Sequence, residues 1–139
     1  MFIKFGGNPN HVVLGGASAG GGSIALLLTA FGGKDLGLFH GAIGESQFLP
    51  VQLTVEESQF QYTTVVELAG CQGVSDTLAC LRSTSLETLQ KSNVQIPFQG
   101  HTHTPLFTYG PVLDGNVLLD HTSQLFSEGR FVKVPVAFG

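Results

Sequence analysis

The 139-residue chain carries six Lys/Arg against ten Asp/Glu, for a formal net charge of −4; it has 19 glycines, and 12% of its residues are charged, against about 25% in average soluble domains. With no basic cluster it has no electrostatic footprint for nucleic acid or an anionic membrane surface, and its best apolar run, Ile24 to Phe31, falls short of the ~20 residues of a membrane span. The length bounds it to one domain at most, and since nothing from Phe5 to Gly33 bears a formal charge, something else is expected to cover that face.

In chain order, Met1-Phe2-Ile3-Lys4 runs directly into Gly6-Gly7-Asn8-Pro9. That is turn chemistry, not a secretory leader, so Met1 reads as the start of a fragment or gene model. His11 to Leu14 is a short β-branched run ending at Gly15-Gly16, as a buried strand does before a sharp turn. Ala19 to Thr29, rich in Ala, Leu and Ile, reads as a helix; glycines 20, 21 and 22 weaken it by roughly 1 kcal/mol each relative to Ala, so close approach of another backbone is expected there. Leu38 to Ile43 reads as a second core strand, and Val55 to Ala69 as a surface helix closed by Gly70. Ser75-Asp76 caps one short helix, and Ser85-Leu86-Glu87 opens another. Prolines 97, 105 and 111 with glycines 100, 110 and 115 make Asn93 to Gly115 an irregular loop. His121 to Ser127 forms a last helix ended by Gly129, with Asp120 as its cap, and Val132 to Phe138 closes the chain as an apolar strand. No repeat or linker divides the sequence, and the order of elements is α/β with a parallel sheet.

Gly16-Ala17-Ser18-Ala19-Gly20 fits the nucleophile elbow G-x-S-x-G, placed between an apolar strand and a helix as the chemistry requires. The serine must stand on a tight turn, and side chains at Gly16 and Gly20 are expected to collide with neighbouring backbone. The helix beginning at Ala19 aims free N–H groups at the same point, so the Ala19 amide is a candidate oxyanion donor. The plainer alternative is a glycine loop that only lets helix and strand pack closely. Gly20-Gly21-Gly22-Ser23-Ile24-Ala25 also matches the dinucleotide fingerprint, but it begins too far beyond the strand, and no Gly-Lys-Ser/Thr phosphate loop exists. His101 and His103 share one side of an extended segment, with His121 as a further candidate ligand, yet no carboxylate or cysteine completes a metal set. They read as a solvated loop, and His11 and His40 as structural histidines. Asp114-Gly115 is a turn signal. Cys71 and Cys80 fit either a small disulfide loop or two buried thiols.

Together these segments closely resemble the type-B carboxylesterase and lipase family, the α/β-hydrolases that include cholinesterases and large fungal lipases. Phe5-Gly6-Gly7-Asn8-Pro9 resembles the family's F-G-G-D-P turn, and Gly16 to Gly21 its G-E-S-A-G-G. Leu38 to Ile43 followed by Glu45-Ser46 is similar to L-F-x-x-A-I-x-x-S-G, and Cys71 to Cys80 with Leu81-Arg82 to the C-L-R disulfide loop. Gly110 to Gly115 resembles the P-x-x-D-G segment, and Val134 to Gly139 the I-P-V-x-x-G strand. Two positions depart: Ala17 stands where the family has glutamate, and Asn8 where it has aspartate.

The resemblance implies that residues 1–139 are a fragment of a single carboxylesterase type-B domain, a partial α/β-hydrolase fold comprising a central parallel sheet segment, the elbow and flanking helices. It implies a carboxylic ester hydrolase with a Ser-His-Glu triad and an acyl-enzyme, acting on a small-molecule or lipid ester without cofactor or metal. Ser18 is then the nucleophile, Ala19 N–H an oxyanion donor, Gly16 and Gly20 the elbow glycines, and Cys71 and Cys80 a disulfide. The family's acid belongs just beyond the last strand, its histidine later, and its glycine-rich oxyanion loop before Met1. None of the five histidines matches the base. Family and disulfide together favour a secreted protein. The rival expectation is a non-catalytic esterase-like binding module or an inactive truncated product, against which Ser18 in an intact elbow argues.

Overall fold

The computed structural model describes residues 2–139. It divides into two compact units, one built from residues 1–52 with 113–139, the other from residues 53–112.

In the first unit a 3₁₀ turn, Phe2–Phe5, precedes strand β1, Val13–Ala17, helix α1, Ala19–Gly33, and strand β2, Gly41–Glu45. Helix α5, Thr122–Ser127, and strand β5, Val136–Phe138, complete it. The sheet order is β1-β2-β5 and both pairings are parallel, as the α/β reading expected. Val13 pairs with Gly41 and Ala17 with Glu45; Ala42 pairs with Val136. The core is Ile24 and Leu28 of α1 against Ala42 of β2 and Val132, with Leu14, Phe39, Phe126 and Val134 packed around it.

Pairing moves the strand ends away from where composition put them. β1 starts at Val13 and runs on through Gly15 and Gly16, because both glycines are laddered to Ile43 and Gly44. β2 begins only at Gly41; before it, Asp35 Oδ1 accepts from Gly37 N–H at 2.8 Å, and Gly37 takes a φ of 66°, so Leu38 lies exposed in a turn. The final strand covers only Val136–Phe138. Val132 instead donates its N–H to Leu28 O at 2.8 Å, and Pro135, which has no N–H to give, contributes only its carbonyl, to Ala42 N–H at 3.0 Å.

Helix α1 is regular to Thr29; Ala30, Phe31 and Gly32 leave helical geometry, and Phe31 N–H turns to Val117 O at 2.8 Å. Helix α5 starts one residue later than expected. His121 is its N-cap and makes no side-chain cap bond, while Asp120 Oδ1 accepts from His121 N–H at 2.7 Å. The first helical amide, Thr122 N–H, is taken instead by Gln52 Oε1 at 2.9 Å.

The second unit holds helices α2, Val55–Leu68, α3, Thr77–Ser83, and α4, Leu86–Ser92, and opens on the two-residue strand β3, Leu53–Thr54; strand β4, Val112–Leu113, falls where the chain passes from the second unit to the first. The three helices match the sequence reading. α2 buries only Gln61 and Val66, as a surface helix does, and Thr54 and Glu57 close a capping box at its start. Asp76 caps α3 and Ser85 caps α4, each through its side chain. Gln61 Nε2 donates to Thr108 O at 2.7 Å and Phe60 meets Phe98 edge-on at 6.2 Å, which ties the irregular 93–112 stretch to α2. Cys71 and Cys80 are disulfide-bonded.

Candidate active site

The site lies at the carboxyl end of β1, where α/β sheets present their ligand-binding crevices. Between the last strand residue, Ala17, and the first helical residue, Ala19, a single residue makes the turn: Ser18, with φ 54° and ψ −117°. A non-glycine residue in that region costs on the order of 1–3 kcal/mol unless its neighbours hold it. They do so with two hydrogen bonds. Ser18 N–H donates to Glu45 O at 3.0 Å, tying the turn to the end of β2, and Ser18 O accepts from Gly22 N–H at 3.0 Å, starting the helix.

Gly16 is required by space. A Cβ there would stand 2.6 Å from both the carbonyl carbon and oxygen of Gly20. Gly20 differs from expectation, since a Cβ on it would meet nothing within 4 Å; its backbone is the surface that excludes a side chain at Gly16. The close packing foreseen for the helical glycines falls on the next two. A Cβ on Gly21 would lie 2.9 Å from Glu45 O, and one on Gly22 would lie 3.2 Å from Phe48 O, so α1 rests its first turn directly on the chain leaving β2.

The Ser18 side chain is exposed and makes no cap bond to the helix it begins. Among the described residues no acceptor takes the Ala19 N–H, one of the amides that every helix start leaves open, and α1 has no acidic residue in its first turn to compete for it. Exposed hydroxyl, open amide and the positive end of a helix therefore converge on one point. Such a point favours an oxyanion developing on an atom bonded to Ser18 Oγ. The Ser23 hydroxyl, by contrast, is turned back on Ala19 O at 2.8 Å. Gly20-Gly21-Gly22 lies inside α1 with Gly21 and Gly22 buried, not in a loop open to a dinucleotide.

No histidine is hydrogen-bonded to Ser18 among the described residues. His40 Nδ1 accepts from Val12 N–H at 3.4 Å, at the opposite end of the sheet from the turn. His101 and His103 are exposed in the second unit, and no group of three metal-ligating side chains occurs among the described residues. Nor is any helix among them long and apolar enough to cross a membrane.

Reasoning from sequence passed over two features. Asp114 Oδ1 accepts from the N–H groups of Asn116, Val117 and Leu118 at 3.1, 2.9 and 2.8 Å. These bonds, that from Leu118 foremost, hold the Asp114 carboxyl below the usual carboxylate range. The Asp-Gly pair was legible as a turn, and the three-amide grip was not. The other is the Gln52 bond to α5, which spans 70 positions and leaves no local signal.

A sequence model described as the carboxylesterase family matches residues 3–139. The chain is 34% identical to the secreted triacylglycerol lipase LIP1 of Gibberella zeae, over 98% of this chain and 24% of that protein. It is 36% identical to Lipase 1 of Geotrichum candidum, over 98% of this chain and 26% of that protein. Among solved structures it is similar to Aspergillus niger EstA, with a TM-score of 0.90 and 47% identity over 95% of this chain and 26% of that one. It is also similar to the carboxylesterase EST55 of Geobacillus stearothermophilus, with a TM-score of 0.73 and 27% identity over 96% of this chain and 27% of that one. The parallel sheet and its helices are thus part of an α/β-hydrolase fold, and the chain spans about a quarter of the length of these relatives.

Proposed function

The chain belongs to the carboxylesterase family, and we propose that it is a segment of one α/β-hydrolase domain that supplies the nucleophile and an oxyanion donor to a secreted carboxylic ester hydrolase. The observation carrying this reading is Ser18, exposed at φ 54° on a one-residue turn between β1 and α1, with Gly16 packed on the backbone of Gly20. Ser18 Oγ attacks the carbonyl carbon of the ester. A histidine, oriented by a glutamate, takes the hydroxyl proton; both belong to the rest of the domain. The negative charge passes to the carbonyl oxygen, which Ala19 N–H and the helix start hold. Collapse breaks the bond to the alcohol, which leaves with the proton, and water repeats the sequence on the acyl group to free Ser18.

Secretion is supported by the disulfide and by relatives named as secreted lipases. The test is a fluorophosphonate probe on the whole protein, read by peptide mass spectrometry. A single phosphonylated residue, Ser18, is expected, and Ser18→Ala abolishes both label and turnover of p-nitrophenyl esters, a loss on the order of 10⁶ in kcat. Label or turnover surviving that substitution, or label at Ser23 or Ser46, overturns the reading.

A further inference from the structure

Register partners in a parallel ladder project to the same face of the sheet from strands about 5 Å apart. Ala17 and Glu45 are such partners, and both are exposed. Glu45 is also the residue whose carbonyl holds the Ser18 amide at 3.0 Å, so its carboxylate is attached to the anchor of the elbow. Among the described residues, the elements next to this carboxylate carry no other charged side chain. β1, α1 and β5 carry no charged or titratable side chain, and neither do residues 46 to 50, on which the first turn of α1 rests. Glu45 is the only one on β2, His40 lies just before that strand at its far end, and Glu45 joins no ion pair among the described residues. A carboxylate beside a nucleophile creates a negative potential there.

We propose that Glu45 is a positioning residue of the Ser18 centre, its carboxylate stabilising the cation that forms when the base takes the Ser18 proton. The inference rests on the reading of Ser18 as nucleophile. Glu45 touches no reacting atom; it acts through the base. Position 17, one strand across on the same face, is the other place from which a carboxylate would exert the same field, and there this chain has alanine.

The experiment is the pH profile of kcat/KM for a neutral p-nitrophenyl ester in the whole protein, with fluorophosphonate labelling of Ser18 alongside. A carboxylate raises the pKa of a nearby base, so Glu45→Gln moves the acid limb to lower pH. The expected shift is about half a pH unit, the order of effect that one unit charge exerts across several ångströms of largely aqueous surroundings. Ala17→Glu, which leaves the backbone anchor at Glu45 untouched, moves the limb upward by a similar amount, and the exchange Ala17→Glu with Glu45→Gln returns it to the wild-type position. An acid limb unmoved in Glu45→Gln while Ser18 still labels overturns this inference and leaves the nucleophile standing. An Ala17→Glu limb that stays in place overturns it too, even if Glu45→Gln fails to fold. Absence of label at Ser18 in the wild-type protein removes the nucleophile reading, and this inference with it.

Discussion

Gly16→Ala tests the elbow through its packing alone, without touching the reactive hydroxyl. The added Cβ stands 2.6 Å from the Gly20 carbonyl carbon and oxygen, whereas ordinary contact begins at 3.4 Å, so the first turn of α1 must draw back from β1 by the difference, 0.8 Å. The colliding atoms are backbone and have no rotamer to escape into. The same turn is also fixed by the Ser18 N–H bond to Glu45 O and the Gly22 N–H bond to Ser18 O. Overpacking of this kind destabilises by about 1–3 kcal/mol. A displacement near 1 Å at a reacting atom lowers turnover by about 10²-fold. Denaturant unfolding and the rate of fluorophosphonate labelling, both on the whole protein, read the two effects. Gly20→Ala is the control: its Cβ meets nothing within 4 Å, and alanine gains up to about 1 kcal/mol of helix propensity over glycine. Gly16→Ala with unchanged stability and labelling refutes the reasoning, and so does a Gly20→Ala variant as damaged as Gly16→Ala.

Three further outcomes follow from the second unit and the Asp114 turn. The Cys71–Cys80 bridge, with its cysteines nine positions apart, is expected to contribute about 2.7 kcal/mol by restricting the unfolded chain, so the double variant Cys71→Ser with Cys80→Ser should lower the denaturation midpoint, and unreduced peptide mapping should recover the pair as one species. Thr54→Ala removes one side of the capping box at α2 and should cost about 1 kcal/mol, visible as faster amide exchange over residues 55 to 58; unchanged exchange there speaks against it. Asp114 has a folded-state pKa depressed below 3.8, so its contribution to stability is complete above the unfolded pKa and disappears as pH falls through the folded one. Asp114→Ala should therefore be less stable than wild type at pH 6, with the gap closing as pH falls below the usual carboxylate range and through the lowered folded-state value; a gap independent of pH contradicts the carboxylate's role.

What the sequence revealed was mostly local chemistry. Asp76 and Ser85 cap the helices expected of them, and Gly70 and Gly129 take the positive φ that ends α2 and α5, because a cap or terminator acts within four residues of itself. Thr54-Val55-Glu56-Glu57 was equally open to reading as a capping box. Strand limits were less legible because partners set them: Gly15 and Gly16 have poor strand propensity yet are laddered to β2, while Val132 and Val134 have good propensity and pack into the core instead. The Gln52 bond to Thr122 could not be read at all. Nothing near either residue announces a partner on a segment far along the chain.

The elbow shows the same division between local pattern and assembled structure. Its five-residue motif fixes where a serine turns, but Ser18 holds φ 54° only because residues outside the motif oppose the strain: Glu45 accepts its amide, and Ile24 and Leu28, 3% and 0% exposed, anchor the helix that follows. Each of those two side chains stabilises by about 1.5–3 kcal/mol on burial, so together they outweigh the 1–3 kcal/mol or so that the serine backbone costs. Relaxing Ser18 would swing α1 off β2, and the helix is the more tightly held partner. The hydroxyl is therefore kept in place by core packing well away from it. Hence a core substitution such as Leu28→Ala, far from any ester, is expected to slow phosphonylation of Ser18 as well as to lower stability by about 2–5 kcal/mol. Labelling at the wild-type rate in the folded fraction of that variant would mean that the turn holds itself.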